Sequence, residues 1–90
     1  MFTQILKTNN TSIRVSPKNG RDFKLKELRE IIGCDYIQIV ETNDKRLMII
    51  DEDGKLRNKE FNEIATKLYK YGDSDIIVGD VIVINKDEIR

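Results

Sequence analysis

The segment 76–84 constrains the fold of this chain more than any other part of it. Its residues run Ile-Ile-Val-Gly-Asp-Val-Ile-Val-Ile, so apolar side chains fall on both alternating faces. A strand that is apolar on both faces is usually central in its sheet or covered on both sides. Gly79 and Asp80 interrupt the run, which indicates a bulge, a tight turn or a close backbone approach. We therefore expect this segment at the centre of a sheet.

Two hairpins precede this segment, and each is followed by an amphipathic helix. Residues 2–7 and 12–16 form the first predicted hairpin, and residues 36–40 and 47–51 form the second. The first helix is expected to open at Asp22 and to close at Gly33, and the second to open at Asn58 and to stop at Gly72. Their apolar stripes are Leu25, Leu28, Ile31 and Ile32 in the first helix, and Phe61, Ile64, Ala65 and Leu68 in the second.

The resulting order is β-β-α-β-β-α-β, with the last strand split at Gly79. This order predicts an α+β fold, a single domain over residues 1–90. It would be a two-layer domain, with one mixed or antiparallel sheet and both helices packed on it. An uncovered edge or face of such a sheet invites association, so a homodimer is consistent with the pattern.

Composition narrows the class of protein. Apolar residues make up 39% of the chain, and 16 basic residues balance 16 acidic ones. A nucleic-acid binder usually shows a strong basic excess, which this chain lacks. Cys34 is the only cysteine, so no internal disulfide can form. There is no apolar run of membrane-spanning length and no signal-peptide pattern, and we expect a cytoplasmic protein without a membrane partner.

Candidate chemistry is sparse. The chain has no histidine, which removes the commonest general base and, with a single cysteine, excludes a zinc site. Cys34 follows the first helix at its C-terminus, where the helix dipole disfavours a thiolate, and we interpret it as a turn residue. We expect no catalytic residues, no cofactor and no enzyme activity.

Two acidic groups invite a metal hypothesis. Asp51-x-Asp53-Gly54 resembles part of a calcium loop, but the first ligand position would then be Ile49, which cannot coordinate a cation. We interpret this segment as a charged turn and expect no metal. The carboxylates around the last strand could bind magnesium, but no spacing rule singles them out, and capping, solvation and turn formation are the simpler explanation; they are Asp73, Asp75 and Asp80.

Residues 14–29 carry six basic and two acidic side chains, a local charge of +4. Basic side chains there could meet phosphates, and an aromatic ring could lie against a base. A solvated surface explains the same charges, with Phe23 packing ahead of the first helix. Tyr69 and Tyr71 are candidate protein-interface residues or the edge of the core. The candidate nucleic-acid residues are Arg14, Lys18, Arg21, Phe23, Lys24 and Lys26.

A series of motifs runs through most of the chain. They are Ser16-Pro17-Lys18-Asn19-Gly20-x-Asp22-Phe23, Leu25-x-x-Leu28-x-x-Ile31-Ile32-Gly33, Tyr36-Ile37-x-Ile39-Val40, Asp53-Gly54-Lys55-Leu56, Asn62-x-x-Ala65-Thr66-x-Leu68 and Ile77-Val78-Gly79-Asp80-Val81. From Thr11 onwards the chain resembles a domain-of-unknown-function family of small proteins. Members occur in phage, plasmid and conjugative-element genomes and in gut anaerobes. They often carry Gly-Gly-Tyr where this chain has Gly33-Cys34-Asp35-Tyr36, a difference confined to one turn.

The resemblance implies a biological context, that of mobile genetic elements, but it implies no catalytic or binding residues. Accessory proteins of mobile elements usually bind and modulate something of the host's. Our leading hypothesis is a non-enzymatic accessory protein that binds a host or element-encoded protein, with a counter-defence inhibitor as one form. The alternatives are a nucleic-acid-binding accessory that uses residues 14–29, and a module that binds a small ligand such as a nucleotide between Gly79-Asp80 and the basic residues.

Overall fold

The computed structural model describes residues 3–89, which form one antiparallel sheet and two helices. The predicted α+β class and element order are confirmed. Residue 2 of the first predicted strand lies outside the described residues. The elements are β1 (Gln4–Leu6), β2 (Ser12–Arg14), α1 (Leu25–Ile32), β3 (Ile37–Glu41), β4 (Leu47–Asp51), α2 (Glu63–Leu68), β5 (Val81–Ile84) and a short 3-10 helix (Lys86–Glu88).

Strand β5 is the central strand, as its sequence predicts. The strand order is β2-β1-β5-β4-β3, and all neighbouring strands are antiparallel. Val83 lies opposite Gln4 of β1 on one side and Met48 of β4 on the other. The preceding residues do not continue the strand, because Gly79 turns the chain with φ 76° and donates its N–H to the Glu60 carbonyl at 2.7 Å.

The two helices lie on opposite faces of the sheet, whereas a two-layer arrangement was expected. The face that α2 covers, here called the α2 face, carries Val81 and Val83 of β5. The α1 face carries Ile82 and Ile84, together with Leu28 of α1. All four β5 side chains are buried. A central strand that is apolar on both faces requires cover on both, and one helix supplies each side.

Helix α1 ends where expected but begins later. Gly33 takes the left-handed conformation at φ 76° and donates to the Arg29 carbonyl, which closes the helix. Asp22 is not the cap: its carboxylate accepts a hydrogen bond from Asn19, and the helix begins after Lys24 without a side-chain cap. The reason is tertiary, because Phe23 forms a bridge with Ile89 and donates its N–H to the Glu88 carbonyl at 2.7 Å, which holds residue 23 outside the helix.

Helix α2 is capped by Asn62, and the expected cap Asn58 is wrong. Asn62 Oδ1 accepts from the Ala65 N–H at 3.0 Å. Asn58 lies in the preceding turn with φ 55°, a conformation that asparagine tolerates. The helix ends at Leu68, before Gly72, because Tyr69 turns into extended conformation and joins the sheet beside Thr42.

No helix within residues 3–89 combines the length and the apolar character needed to cross a lipid bilayer.

Candidate functional site

Strand β3 forms one edge of the sheet, and the direction of its backbone groups follows from two hydrogen bonds. Glu52 donates to the Tyr36 carbonyl at 3.1 Å, and Thr42 donates to the Arg46 carbonyl at 3.1 Å. Antiparallel pairs alternate between hydrogen-bonded and non-hydrogen-bonded positions. The N–H and C=O groups of Ile37 and Ile39 therefore point away from β4. Within residues 3–89 none of these four groups has a hydrogen-bond partner.

The C-terminal end of this edge is closed by the chain that leaves α2. Lys70 donates its N–H to the Glu41 carbonyl at 3.1 Å, and Asn43 donates to the Leu68 carbonyl at 2.8 Å. Tyr69 thus forms a bridge with Thr42. The open part of the edge, here called the β3 edge, therefore extends over residues 37–39. A strand that pairs with it must stop before Glu41.

Apolar side chains are exposed along the β3 edge and beside it. Ile39 is 44% exposed on the α1 face, and Tyr36 is 64% exposed just before β3 begins. Ile76 is 47% exposed beside Val40. Natural proteins usually protect edge strands with lysine, proline, a bulge or a short length. Strand β3 has five residues and neither lysine nor proline.

A cleft of about 220 Å³ lies on the α2 face beside this edge, between β3 and the segment 75–78. We call it the β3 cleft. Gln38 and Glu52 lie at its border, and an ion pair between Lys55 and Asp75 spans it. The Lys55 hydrogen bond, and then the Ile76 N–H, hold the pKa of Asp75 below its usual value. The apolar walls of the cleft are Val40, Ile50, Tyr69, Ile76, Ile77 and Val78.

Both tyrosines predicted as interface residues lie near the closed end of the β3 edge. Tyr69 is half-buried and forms a wall of the β3 cleft, whereas Tyr71 is 58% exposed. Their rings meet edge to face, with centroids 5.8 Å apart. Lys70 Nζ lies 5.7 Å from the Tyr71 ring centroid and 3.6 Å from Glu41 Oε2. The structure therefore brings this pair together with the end of β3.

Asp51, the residue that suggested a metal loop, binds side chains of its own chain. Its carboxylate is 2% exposed and lies 2.7 Å from Lys59 Nζ and 3.3 Å from an Arg57 guanidinium nitrogen. The Asp53 N–H also donates to it at 2.9 Å. Burial raises the pKa of Asp51, but these hydrogen bonds and charges outweigh it and lower the pKa. Asp51 thereby fixes the loop of residues 52–60, whose tip carries the 83% exposed Leu56.

The structure brings only some of the predicted nucleic-acid residues together: Lys18, Lys24 and Lys26 line one shallow depression beside α1, in the company of Glu27 and Glu30. Phe23 is fully buried in the core of the α1 face, so its ring cannot lie against a base, and this candidate was wrong. Arg14 lies opposite Gln4, on the α2 face of β2. Lys18 is engaged by Glu27 and Glu30. Arg21 is exposed in the loop before Phe23.

The remaining hypotheses concern Cys34, Gly79 and Asp80. Cys34 occupies the turn after α1, as expected, and its Sγ lies 3.3 Å from the Tyr36 carbonyl. Burial, and then the charge of Asp51, raise the pKa of this thiol.

Asp80 accepts from the Thr8 N–H at 3.1 Å and pairs with Lys7 at 3.5 Å. The polar groups proposed for a small ligand at Gly79 and Asp80 are thus engaged within the chain.

These features define a class, a small α+β domain with an open sheet edge at β3 and a cleft beside that edge. Residues 5–89 match the model of a family described as a domain of unknown function, DUF3846, and the chain belongs to that family. No curated protein and no solved structure matches the chain.

The β3 edge and the β3 cleft were missed by sequence reasoning. The composition of β3 is a partial signal, because an amphipathic strand without lysine or proline is unprotected wherever it ends a sheet. Its position at the edge depends on strand order, which periodicity does not reveal.

Proposed function

We propose that this domain is a protein-binding module, and that its partner adds an extended segment to the β3 edge. The observation that carries the proposal is the set of four outward-pointing backbone groups on Ile37 and Ile39, which have no hydrogen-bond partner among residues 3–89. In strand addition, backbone hydrogen bonds supply affinity and alternating side chains supply specificity. Each such bond contributes about 0.5–1.5 kcal/mol net. Side-chain contacts with Tyr36 and Ile76 would add to the affinity.

The proposal includes a biological setting. We propose a non-enzymatic accessory protein of a mobile genetic element that works in the cytoplasm and binds a host or element-encoded protein. A counter-defence inhibitor is one form of it. The support is the absence of histidine, the balanced charge and the resemblance of the motifs to proteins of such elements. The nucleic-acid alternative has less support, because Phe23 is buried and Arg14 lies on the other face from α1.

The test removes one outward donor from the β3 edge. Ile39→Pro deletes an N–H that does not take part in the β3–β4 ladder, so the sheet should tolerate it. The matched control is Ser12→Pro on β2. Thr11 and Val15 of this segment are hydrogen-bonded to Lys7 and Thr3, so the alternating ladder directs the N–H of Ser12 outward. Tagged wild type and both variants are incubated with lysate of a bacterium that carries such an element, once without nuclease and once after nuclease treatment.

A discrete protein captured by wild type and by Ser12→Pro, but lost with Ile39→Pro, is the expected result. Retention of the same protein by Ile39→Pro would contradict strand addition at β3, and signal that disappears with nuclease would favour nucleic acid. Thermal unfolding of each variant shows whether it is folded. If a proline variant is unfolded, the two proline variants are replaced by Ile39→Lys and, as its control, Ile13→Lys. These two isoleucines are similarly exposed, at 44% and 47%, so a lysine should be tolerated at either position.

A further inference from the structure

The β3 cleft lies where a side chain of a paired strand would enter. A strand added to β3 sends alternate side chains to opposite faces of the sheet. Those that lie beside Gln38 and Val40 point to the α2 face, because Val40 packs in the core of that face and Gln38 pairs with Ile50. Both residues border the cleft. A side chain of the added strand that lies beside Gln38 or Val40 would therefore enter the cleft.

The charges around the cleft select the kind of side chain. Glu52 is exposed and has no ion-pair partner among residues 3–89, and Asp75 shares its carboxylate with Lys55. Gln38 contributes a further acceptor oxygen at the border. Asp51 also borders the cleft, but its charge is met by Lys59 and Arg57. Apart from Asp51, the cleft is thus lined by two carboxylates, Glu52 and Asp75, and one ammonium group, Lys55, together with its apolar walls.

We propose that the β3 cleft binds a lysine or arginine side chain of an extended partner segment. This inference rests on the proposed strand addition at β3. Lysine and arginine combine an aliphatic stem with a cationic head, so the stem contacts the walls at Val40 and Ile76 while the head meets Glu52 and Asp75. An acidic side chain would face two carboxylates, and a short apolar one would leave the charged border without a partner.

The same chemistry argues against a second copy of this chain as the occupant. Strand β3 reads Ile-Gln-Ile-Val-Glu and offers no basic residue to the cleft. A symmetric pairing centred on Ile39 would also place Ile37 of one copy opposite Glu41 of the other. The Glu41 carbonyl is already taken by Lys70 at 3.1 Å. A β3–β3 pairing of two copies is therefore disfavoured, and we assign the partner segment to another protein.

The test selects binders from a displayed library of random linear peptides. Selected peptides are synthesised, and dissociation constants are measured by fluorescence anisotropy for wild type, Ile39→Pro, Glu52→Lys and Glu60→Lys. Glu60 is an exposed glutamate that does not border the cleft, so Glu60→Lys matches the charge change at another place. A second peptide carries methionine in place of the basic residue, which keeps an aliphatic stem and removes the charge.

We expect the selected peptides to share a lysine or arginine flanked by β-branched residues, and to lose binding with Ile39→Pro. Methionine in the peptide, or Glu52→Lys in the protein, should each weaken binding about tenfold, the effect of losing one charge-assisted hydrogen bond. Glu60→Lys should change it by less than about twofold.

Two results would overturn the inference in distinguishable ways. Peptides that depend on Ile39 but show no basic preference, or are indifferent to Glu52→Lys, contradict the cleft assignment and leave strand addition intact. A selection that yields no peptide sensitive to Ile39→Pro contradicts both. Gel filtration with light scattering on the free protein adds a further outcome, since a dimer that Ile39→Pro dissociates would assign the edge to a second copy.

Discussion

Strands β2 and β3 both end the sheet, but they present different edges. Strand β2 is three residues long, runs from Ser12 to Arg14 and is followed closely by Pro17. Strand β3 is five residues long and has no basic residue or proline. Each carries one exposed isoleucine, Ile13 at 47% and Ile39 at 44%, so apolar exposure alone does not separate them. The two strands differ in their length, in their charge and in the cleft that lies beside β3. Strand β3 therefore fits a binding role, and β2 does not.

The two sides of the sheet are also fixed by different interactions. On the β2 side, the fully buried Asn62 donates to the Leu6 carbonyl at 2.9 Å and to the Gly79 carbonyl at 2.8 Å. On the β3 side, the ion pairs of Asp51 hold the 52–60 loop against the end of β4. The β2 side thus depends on a neutral buried amide, whereas the β3 side depends on charge. This difference predicts a different response to mutation and to pH.

The largest effect is expected for Asn62→Ala, which tests the β2 side. The change removes the amide that donates to the carbonyls of Leu6 and Gly79, and it removes the cap of α2. We expect a loss of about 3 kcal/mol in the free energy of unfolding, measured by urea denaturation. The control Asn58→Gly, at a turn with φ 55°, should change stability by less than about 0.5 kcal/mol. Equal effects at the two positions would refute the assigned cap.

A smaller effect is expected for Asp51→Asn, which tests the β3 side. The amide keeps the shape of the side chain but removes the charge that faces Lys59 and Arg57. We expect a loss of about 2 kcal/mol near neutral pH, reduced from the range for fully buried pairs because Arg57 is 51% exposed.

The pH dependence of this difference has a definite sign. The pKa of Asp51 in the folded protein lies below its ordinary value of 3.8, so its stabilising contribution is complete above that value. The contribution is lost as the pH falls through the lowered folded pKa. The stability gap between wild type and Asp51→Asn, measured by urea denaturation, should therefore be constant from neutral pH to about 5 and narrow below about 4. A gap that is independent of pH would show that the ion pairs do not stabilise the loop.

Local patterns predict part of this fold, and non-local contacts decide the rest. The two-faced apolar run identified β5, and Gly33 marked the end of α1 correctly. The predicted cap of α1, Asp22, was wrong because Phe23 pairs with Ile89, a contact between distant parts of the chain. The same kind of contact, between Lys70 and Glu41, defines where the β3 edge closes.

The periodicity of the sequence does not predict the candidate site either, because the site is also formed by non-local contacts. The β3 cleft joins β3 with the segment 75–78, and no spacing rule connects residues so far apart in sequence. Asn58 and Asn62 are both plausible caps by residue type, and only the acceptors at Leu6 and Gly79 distinguish them. The tyrosines were singled out from composition, but their position beside the β3 edge follows from the bridge between Tyr69 and Thr42.

The most direct test of strand addition at β3 is amide hydrogen exchange, resolved by residue, in the free protein and with a selected peptide bound. We expect the N–H groups of Ile37 and Ile39 to exchange rapidly in the free protein, while those of Gln38 and Val40, which face β4, are protected. Binding should protect Ile37 and Ile39 and leave Ser12 on β2 unchanged. Slow exchange of Ile37 and Ile39 in the free protein, or no gain in their protection on binding, would contradict strand addition at β3.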